Sequence, residues 1–293
     1  MKKITFLILT TFSSVFSFGQ NVPKTLLWEV SKPGIPHKSY MFATFHEVNP
    51  AFFLSLTNTV EKLNAAKVVY LEQLFNGKND TTGTGRISTW NTQKWHKAMT
   101  PEQENIFRDF VSKAEDISYY QLPPLPLFLT IFRIYGQNFC DTSYTGTSRE
   151  IMDGYIEKLA LKNEQTVLPL DGNQLNIIEE SSRNMHQSKD SLLTASSVDL
   201  MKKMLADDDS ECNFINDYKQ FNLNYQFDTE ISKMGFPPQF VLDRNNKWVA
   251  ILDKSFKVSQ CFVAVGLRHF FYKEGLVQQL IRLGYEVKPV PAR

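Results

Sequence analysis

The apolar positions of this chain fall in short blocks whose period changes along the sequence. Leu26-Leu27-Trp28-Glu29-Val30 and Ser39-Tyr40-Met41-Phe42-Ala43-Thr44-Phe45 read as strands, and Lys32-Pro33-Gly34-Ile35-Pro36 between them has turn chemistry, so a hairpin is expected to open the fold. Asn49-Pro50 ends the second run. Phe53, Leu56, Val60 and Leu63 then recur at helical spacing, predicting a helix over 52–63, and Lys67-Val68-Val69-Tyr70-Leu71-Glu72 is a short apolar strand. This strand, helix, strand unit carries His46 just past its first strand and Glu72 at the end of its last.

In the middle of the chain, Asn76 to Thr84 has loop composition, and its Gly83-Thr84-Gly85 lacks the further residues of a phosphate-binding glycine motif. Pro101 to Lys113 has helical periodicity, with Thr100 as N-cap and Glu102 and Glu104 in the first turn. Leu122-Pro123-Pro124-Leu125-Pro126 restarts a helix as far as Tyr135. That run is too short to span a bilayer and contains Arg133, so it reads as a buried helix. Ser148 to Leu161 is amphipathic, and Thr166-Val167-Leu168-Pro169-Leu170 is a strand ending at Asp171-Gly172. The region from Gln174 to Phe221 is polar with helical stretches. Its Asp207-Asp208-Asp209 cluster lacks the alternation, central Gly and final Glu of a calcium loop, and reads as a solvated helix start.

The last sixty residues repeat the opening pattern. Leu242 to Trp248 enters a helix, Gln260-Cys261-Phe262-Val263-Ala264-Val265 is a buried strand and Gly266-Leu267-Arg268-His269 a turn. Glu274 to Leu283 is then a helix, and Tyr285 to Val290 a closing strand. Both ends of the chain therefore place a small residue, Ala43 or Gly266, three positions before a histidine that follows a strand. The expected fold is α+β: two similar strand-helix-strand units forming a central mixed β-sheet, flanked by many helices from the middle of the chain, with residues 20–293 as a single domain.

Charge and cysteine content narrow the function classes. With 32 Lys+Arg against 31 Asp+Glu, the net charge of +1 gives no field for nucleic acid. Lys2 and Lys3 precede an apolar stretch, Ile4 to Phe18, and Ser17-Phe18-Gly19 offers small residues before a cut, so residues 1–19 read as a cleaved signal peptide. The stretch is shorter than the roughly 18–20 residues of a membrane span. An exported protein follows, periplasmic or extracellular, with no integral membrane segment after cleavage. Cys140, Cys212 and Cys261 lie too far apart for a zinc ribbon or a thioredoxin pair. At least one of them must stay unpaired, and their spacing leaves the pairing open. The 23 phenylalanines read as core.

His46 and His269 stand past strand ends, where ligand sites of α/β sheets form. Should the two units pack side by side, His46, His269 and Glu72 converge, and two imidazoles plus a carboxylate compose a hydrolytic metal site. The simpler reading leaves each histidine as a hydrogen-bonded loop residue. His37, His96 and His186 read as surface residues. No G-x-S-x-G motif supports a serine nucleophile, and no cysteine has a distinctive context.

At these residues the chain resembles the TraB/GumN family, the group that includes the Tiki membrane metalloproteases. The resemblance runs from Leu26-Leu27-Trp28 and Ala43-Thr44-Phe45-His46 through Val68-Val69-Tyr70-Leu71-Glu72, Met152-Asp153, Leu170-Asp171 and Arg244-Asn245 with Trp248 to Gly266-Leu267-Arg268-His269. It implies metal ligands at His46, Glu72 and His269, catalytic roles for Glu72 and Arg244, and supporting roles for Ala43, Asp171, Asn245 and Gly266. The implied cofactor is a divalent ion, manganese or cobalt by resemblance, with zinc also possible. Two departures stand out: Ala43 replaces a family Gly, disfavoured wherever φ must be positive, and Asp171 stands where family members often have Glu. The expected function is an exported metal-dependent hydrolase acting on a peptide or protein substrate. The alternatives are a non-catalytic binding or regulatory protein of the same fold and a metal-free hydrolase with His as base.

Overall fold

Leu27–Ser31 (β1) and Ser39–Thr44 (β2) form the opening hairpin, with Leu27 opposite Phe42 and Trp28 opposite Met41. The computed structural model describes residues 23–75, 89–141, 143–144, 150–183, 185, 187–234 and 239–293. The expected signal peptide, the Gly83-Thr84-Gly85 loop, Ser148 and His186 lie outside these described residues.

After β2 come Pro50–Leu54 (α1), Thr57–Ala65 (α2) and Val68–Leu71 (β3). The single helix expected over 52–63 is thus two. The Ser55 hydroxyl bonds the Phe52 carbonyl at 2.7 Å, and such local side-chain bonding competes with helix continuation. Helices Thr92–Ala98 (α3), Pro101–Ala114 (α4) and Pro124–Tyr135 (α5) follow. Thr100 and Gln103 form a capping box on α4, which fixes its start where the sequence places it. Met152–Lys162 (α6) leads into Thr166–Pro169 (β4), then Gln174–Arg183 (α7), Gln187–Leu205 (α8), Asn213–Lys219 (α9) and Gln239–Val258 (α10). Cys261–Gly266 (β5), Leu276–Arg282 (α11) and Glu286–Val290 (β6) close the chain. The Asp207-Asp208-Asp209 cluster is not a helix start. It is the turn between α8 and α9, where Asp207 takes φ 53° and the Asp208 carboxylate accepts the Ser210 N–H at 2.8 Å.

The six strands lie in the order β4-β3-β5-β2-β1-β6. β5 pairs in parallel with both β2 and β3, and β4 pairs in parallel with β3, whereas β1 is antiparallel to its two neighbours β2 and β6. The fold is therefore α+β with a mixed sheet, and the two end units interlock, because β5 of the second inserts between β2 and β3 of the first. β2 and residues 261–265 of β5 are buried throughout, as suits central strands covered on both faces. A second apolar cluster, around Trp95, Phe107, Ile131, Tyr135 and Met201, packs α3, α4, α5 and α8 together. Helix α5 is largely buried, as expected, and no helix of the described residues is long and apolar enough to cross a membrane.

Cys140, just past α5, forms a disulfide with Cys212 before α9, and Cys261 is free and buried in β5. Unfolding without reductant is expected to expose one titratable thiol, and reduction to expose three. Reduction should also lower the unfolding free energy by about 4 kcal/mol in a urea titration, since the bond closes a long loop. More than one thiol in the unreduced chain would contradict the pairing.

Candidate active site

Four parallel strands end on the same edge of the sheet. The register sets Thr44 beside Gly266, Leu71 beside Ala264, and Leu71 beside Pro169. The residues that follow these ends are His46 after β2, His269 after β5, Glu72 after β3 and Asp171 after β4. Helix α10 crosses the edge and adds Arg244, Asn245 and Trp248. His46, Glu72, His269 and Arg244 line one cavity of about 160 Å³.

Arg244 is the hub. Its guanidinium bonds Glu72 Oε2, donates to Asp171 Oδ2 from Nε at 2.9 Å and Nη2 at 2.7 Å, and approaches His269 Nε2 from Nη1 at 3.2 Å. The Trp248 ring lies 4.5 Å from the guanidinium carbon, and its Nε1–H donates to Asp171 Oδ1 at 2.8 Å. The shorter Asp171 side chain thus still meets both partners. Burial alone would push the Glu72 carboxyl up. The Arg244 charge, with those of His269 and His46 when protonated, outweighs burial and, with the Gly266 N–H bond, holds it well below the usual carboxylate range.

The tautomer of His269 follows from its neighbours. Asn245 Nδ2 donates to the carbonyls of His269 (3.2 Å) and Glu274 (3.1 Å), which turns its Oδ1 toward His269 Nδ1 at 2.6 Å. Nδ1 therefore carries the proton, and the Nε2 lone pair accepts from Arg244 Nη1, with Nε2 3.7 Å from Glu72 Oε1. Burial and the adjacent Arg244 charge push the His269 pKa down to about 3. His46 is the electrostatic opposite. Its Nδ1 lies 2.8 Å from Asp153 Oδ2, and Asp153 Oδ1 accepts the Thr44 hydroxyl at 2.9 Å. Burial disfavours its charged form, but the Asp153 charge and contact, with Glu72 and Glu47, raise the pKa to about 9.

The two small residues act differently. Gly266 donates its N–H to Glu72 Oε1 at 2.6 Å, and a Cβ there would stand 2.9 Å from that oxygen, so the glycine admits the carboxylate. Ala43 lies inside β2 and is not among the residues of positive φ, so the backbone conflict foreseen for a non-glycine residue does not arise. Asp153, Thr44 and Trp248 belong to the site without having been assigned a role from sequence. For Asp153 the sequence signal was a carboxylate in the first turn of α6; its burial, 1% exposed, is visible only in the structure. His37, half-buried, bonds the Phe256 carbonyl, and His96 is exposed against Glu104, both away from the site.

The model of the TraB/PrgY/gumN family matches residues 26–289 of this chain. The chain belongs to this family. No curated protein and no solved structure matches it.

In this TraB/PrgY/gumN protein the donors suit a divalent cation in type. His269 Nδ1 is hydrogen-bonded to the buried Asn245, the pattern that orients metal-ligating histidines, and His46 Nδ1 forms an ion-pair contact with the buried Asp153 without hydrogen-bond geometry. The 3.7 Å between His269 Nε2 and Glu72 Oε1 is a separation that one ion with bonds of about 2 Å can span. Among the described residues, no three His, Cys, Asp or Glu side chains already stand grouped around an ion position, and Arg244 holds the edge between Glu72 and His269.

The two histidines should tilt stability in opposite directions. Unfolded histidines titrate near 6.5. The raised pKa of His46 contributes stability that is full below 6.5 and lost as pH rises through about 9. The depressed pKa of His269 makes stability fall as pH drops from 6.5 toward about 3. Imidazole NMR on chelator-treated protein is expected to show His46 titrating near 9 and His269 neutral to about 3, with Asp153→Asn moving His46 downward. Two histidines titrating together near 6.5 would contradict this environment.

Proposed function

We propose that this TraB/PrgY/gumN protein is an exported, metal-dependent hydrolase of peptide bonds. One observation carries the reading: His46, Glu72 and His269 follow the ends of three neighbouring parallel strands and line one cavity, with Asn245 hydrogen-bonded to one imidazole and Asp153 in close contact with the other. His46, Glu72 and His269 would hold the cation, whose chemistry is to make a bound water nucleophilic near neutral pH. The chain's own residues divide the remaining work. Glu72 stays ionised and is a weak base, which suits a ligand better than a proton acceptor. Arg244 keeps a fixed positive charge at the cavity wall, placed to stabilise negative charge developing on a scissile carbonyl. Asn245 and Asp153 hold the two imidazoles in orientation. Export is supported by the Cys140–Cys212 disulfide, a bond that persists in oxidising compartments, and by the signal-like residues 1–19.

A second reading, a binding protein without turnover, is favoured by the guanidinium already balancing Glu72. The two separate by experiment. Mature protein stripped with chelator is titrated with manganese, cobalt and zinc by calorimetry and assayed on a mixed peptide library. The hydrolase reading expects metal-restored cleavage lost in His46→Ala and His269→Ala, and metal affinity roughly 10–100-fold weaker in Asn245→Ala and Asp153→Asn. Cleavage that survives His269→Ala would falsify the site, and metal uptake without cleavage supports the binding reading.

A further inference from the structure

The loops that carry the two histidines have a second face. Phe45 directly precedes His46, and Leu267-Arg268 directly precede His269. These three residues line the catalytic cavity and also a larger, open groove of about 780 Å³ beside it. Phe128 and Phe132 of α5 are shared in the same way, so the partition between cavity and groove consists of the histidine loops and one helix. Phe214 of α9 packs on this partition, 4.9 Å from Phe132 and 5.7 Å from Phe45 between ring centres. These rings are half-buried, not sealed in the core. A concave apolar surface left open to water is the usual mark of a ligand site. The rim is of another kind: Ser196, Asn222, Asn224 and Gln226 supply hydroxyl and amide groups that both donate and accept. Such a rim matches the alternating N–H and C=O of a peptide backbone and has no counterpart in an acyl chain.

We infer that this groove is a subsite for a large apolar side chain, aromatic or leucine-like, of a peptide substrate whose backbone crosses the rim toward His46 and His269. The inference rests on the hydrolase reading for its substrate class, and binding can be measured apart from turnover. Shared walls give it a mechanistic consequence: a side chain seated in the groove presses on Phe45 and Leu267, the neighbours of both histidine loops. The near-equal charge of the chain agrees, since Asp217 and Arg268 are the charged residues among the groove lining.

The test uses blocked, fluorescein-labelled hexapeptides that differ only in a central Phe, Leu, Ala or Asp. Fluorescence anisotropy on chelator-treated protein reads binding, and the metal-supplied protein reads cleavage of the same peptides. Phe and Leu peptides are expected to bind at least about tenfold tighter than Ala, with Asp weakest. Phe214→Ala, and Leu192→Asp on the exposed side of α8, should each erase most of that preference; Leu192 is 48% exposed, so an unchanged melting curve checks that its variant folds. Selective binding without cleavage under any metal would keep the subsite and overturn the hydrolase reading. Cleavage with no side-chain preference, or a preference that neither substitution moves, would overturn the subsite. Displacement by decanoate with no discrimination among the peptides would overturn it in favour of an acyl ligand.

Discussion

The site depends on one buried positive charge. Arg244 ties the end of β3 through Glu72, the end of β4 through Asp171, and the turn after β5 through His269, all from a single position on α10. Removing an ion from water costs several kcal/mol even after relaxation, so neither carboxylate nor the guanidinium is stable there alone. The guanidinium is shared between the two carboxylates and offsets one of their two charges, and the Trp248 face and indole N–H complete the enclosure. The sheet edge is therefore held in register by charge as well as by backbone pairing.

Around that charge, two histidines in similar sequence contexts acquire opposite properties. His269 sits against the guanidinium and is held neutral, with Asn245 fixing its tautomer. His46 sits against Asp153 and favours the charged form. Burial beside the Arg244 charge at one ring and the Asp153 carboxylate at the other separate them. Gly266 has its role in the same geometry, since it lets Glu72 come close enough to accept a backbone N–H.

What could be read from the sequence was what is local. Strand period, the N-cap at Thr100 and the placement of His46 and His269 after strands depend on neighbours a few residues away. The mixed sheet and the family followed from them. The partners of the site were less visible, because Thr44 and Asp153 are 109 residues apart in the chain and Arg244 and Glu72 are 172 apart. The cysteine pairing was open for the same reason. The split between α1 and α2 was hidden in the Ser55 hydroxyl, which an apolar period does not register. Phenylalanine abundance was read as core alone, yet Phe45, Phe132 and Phe214 border an open groove. Composition does not distinguish a ring facing the core from one facing a ligand.

Under the proposed function, stability and activity would meet at Arg244, because the charge that organises the strand ends also borders the cavity lined by His46, Glu72 and His269. The most direct measurement is a mutant cycle in urea unfolding at neutral pH. Arg244→Met alone should cost about 3–5 kcal/mol, because it leaves Glu72 and Asp171 buried without their cation. Adding Glu72→Gln and Asp171→Asn to it should recover a large part of that loss. A small effect of Arg244→Met, or losses that simply add across the three sites, would contradict the guanidinium as the organising charge.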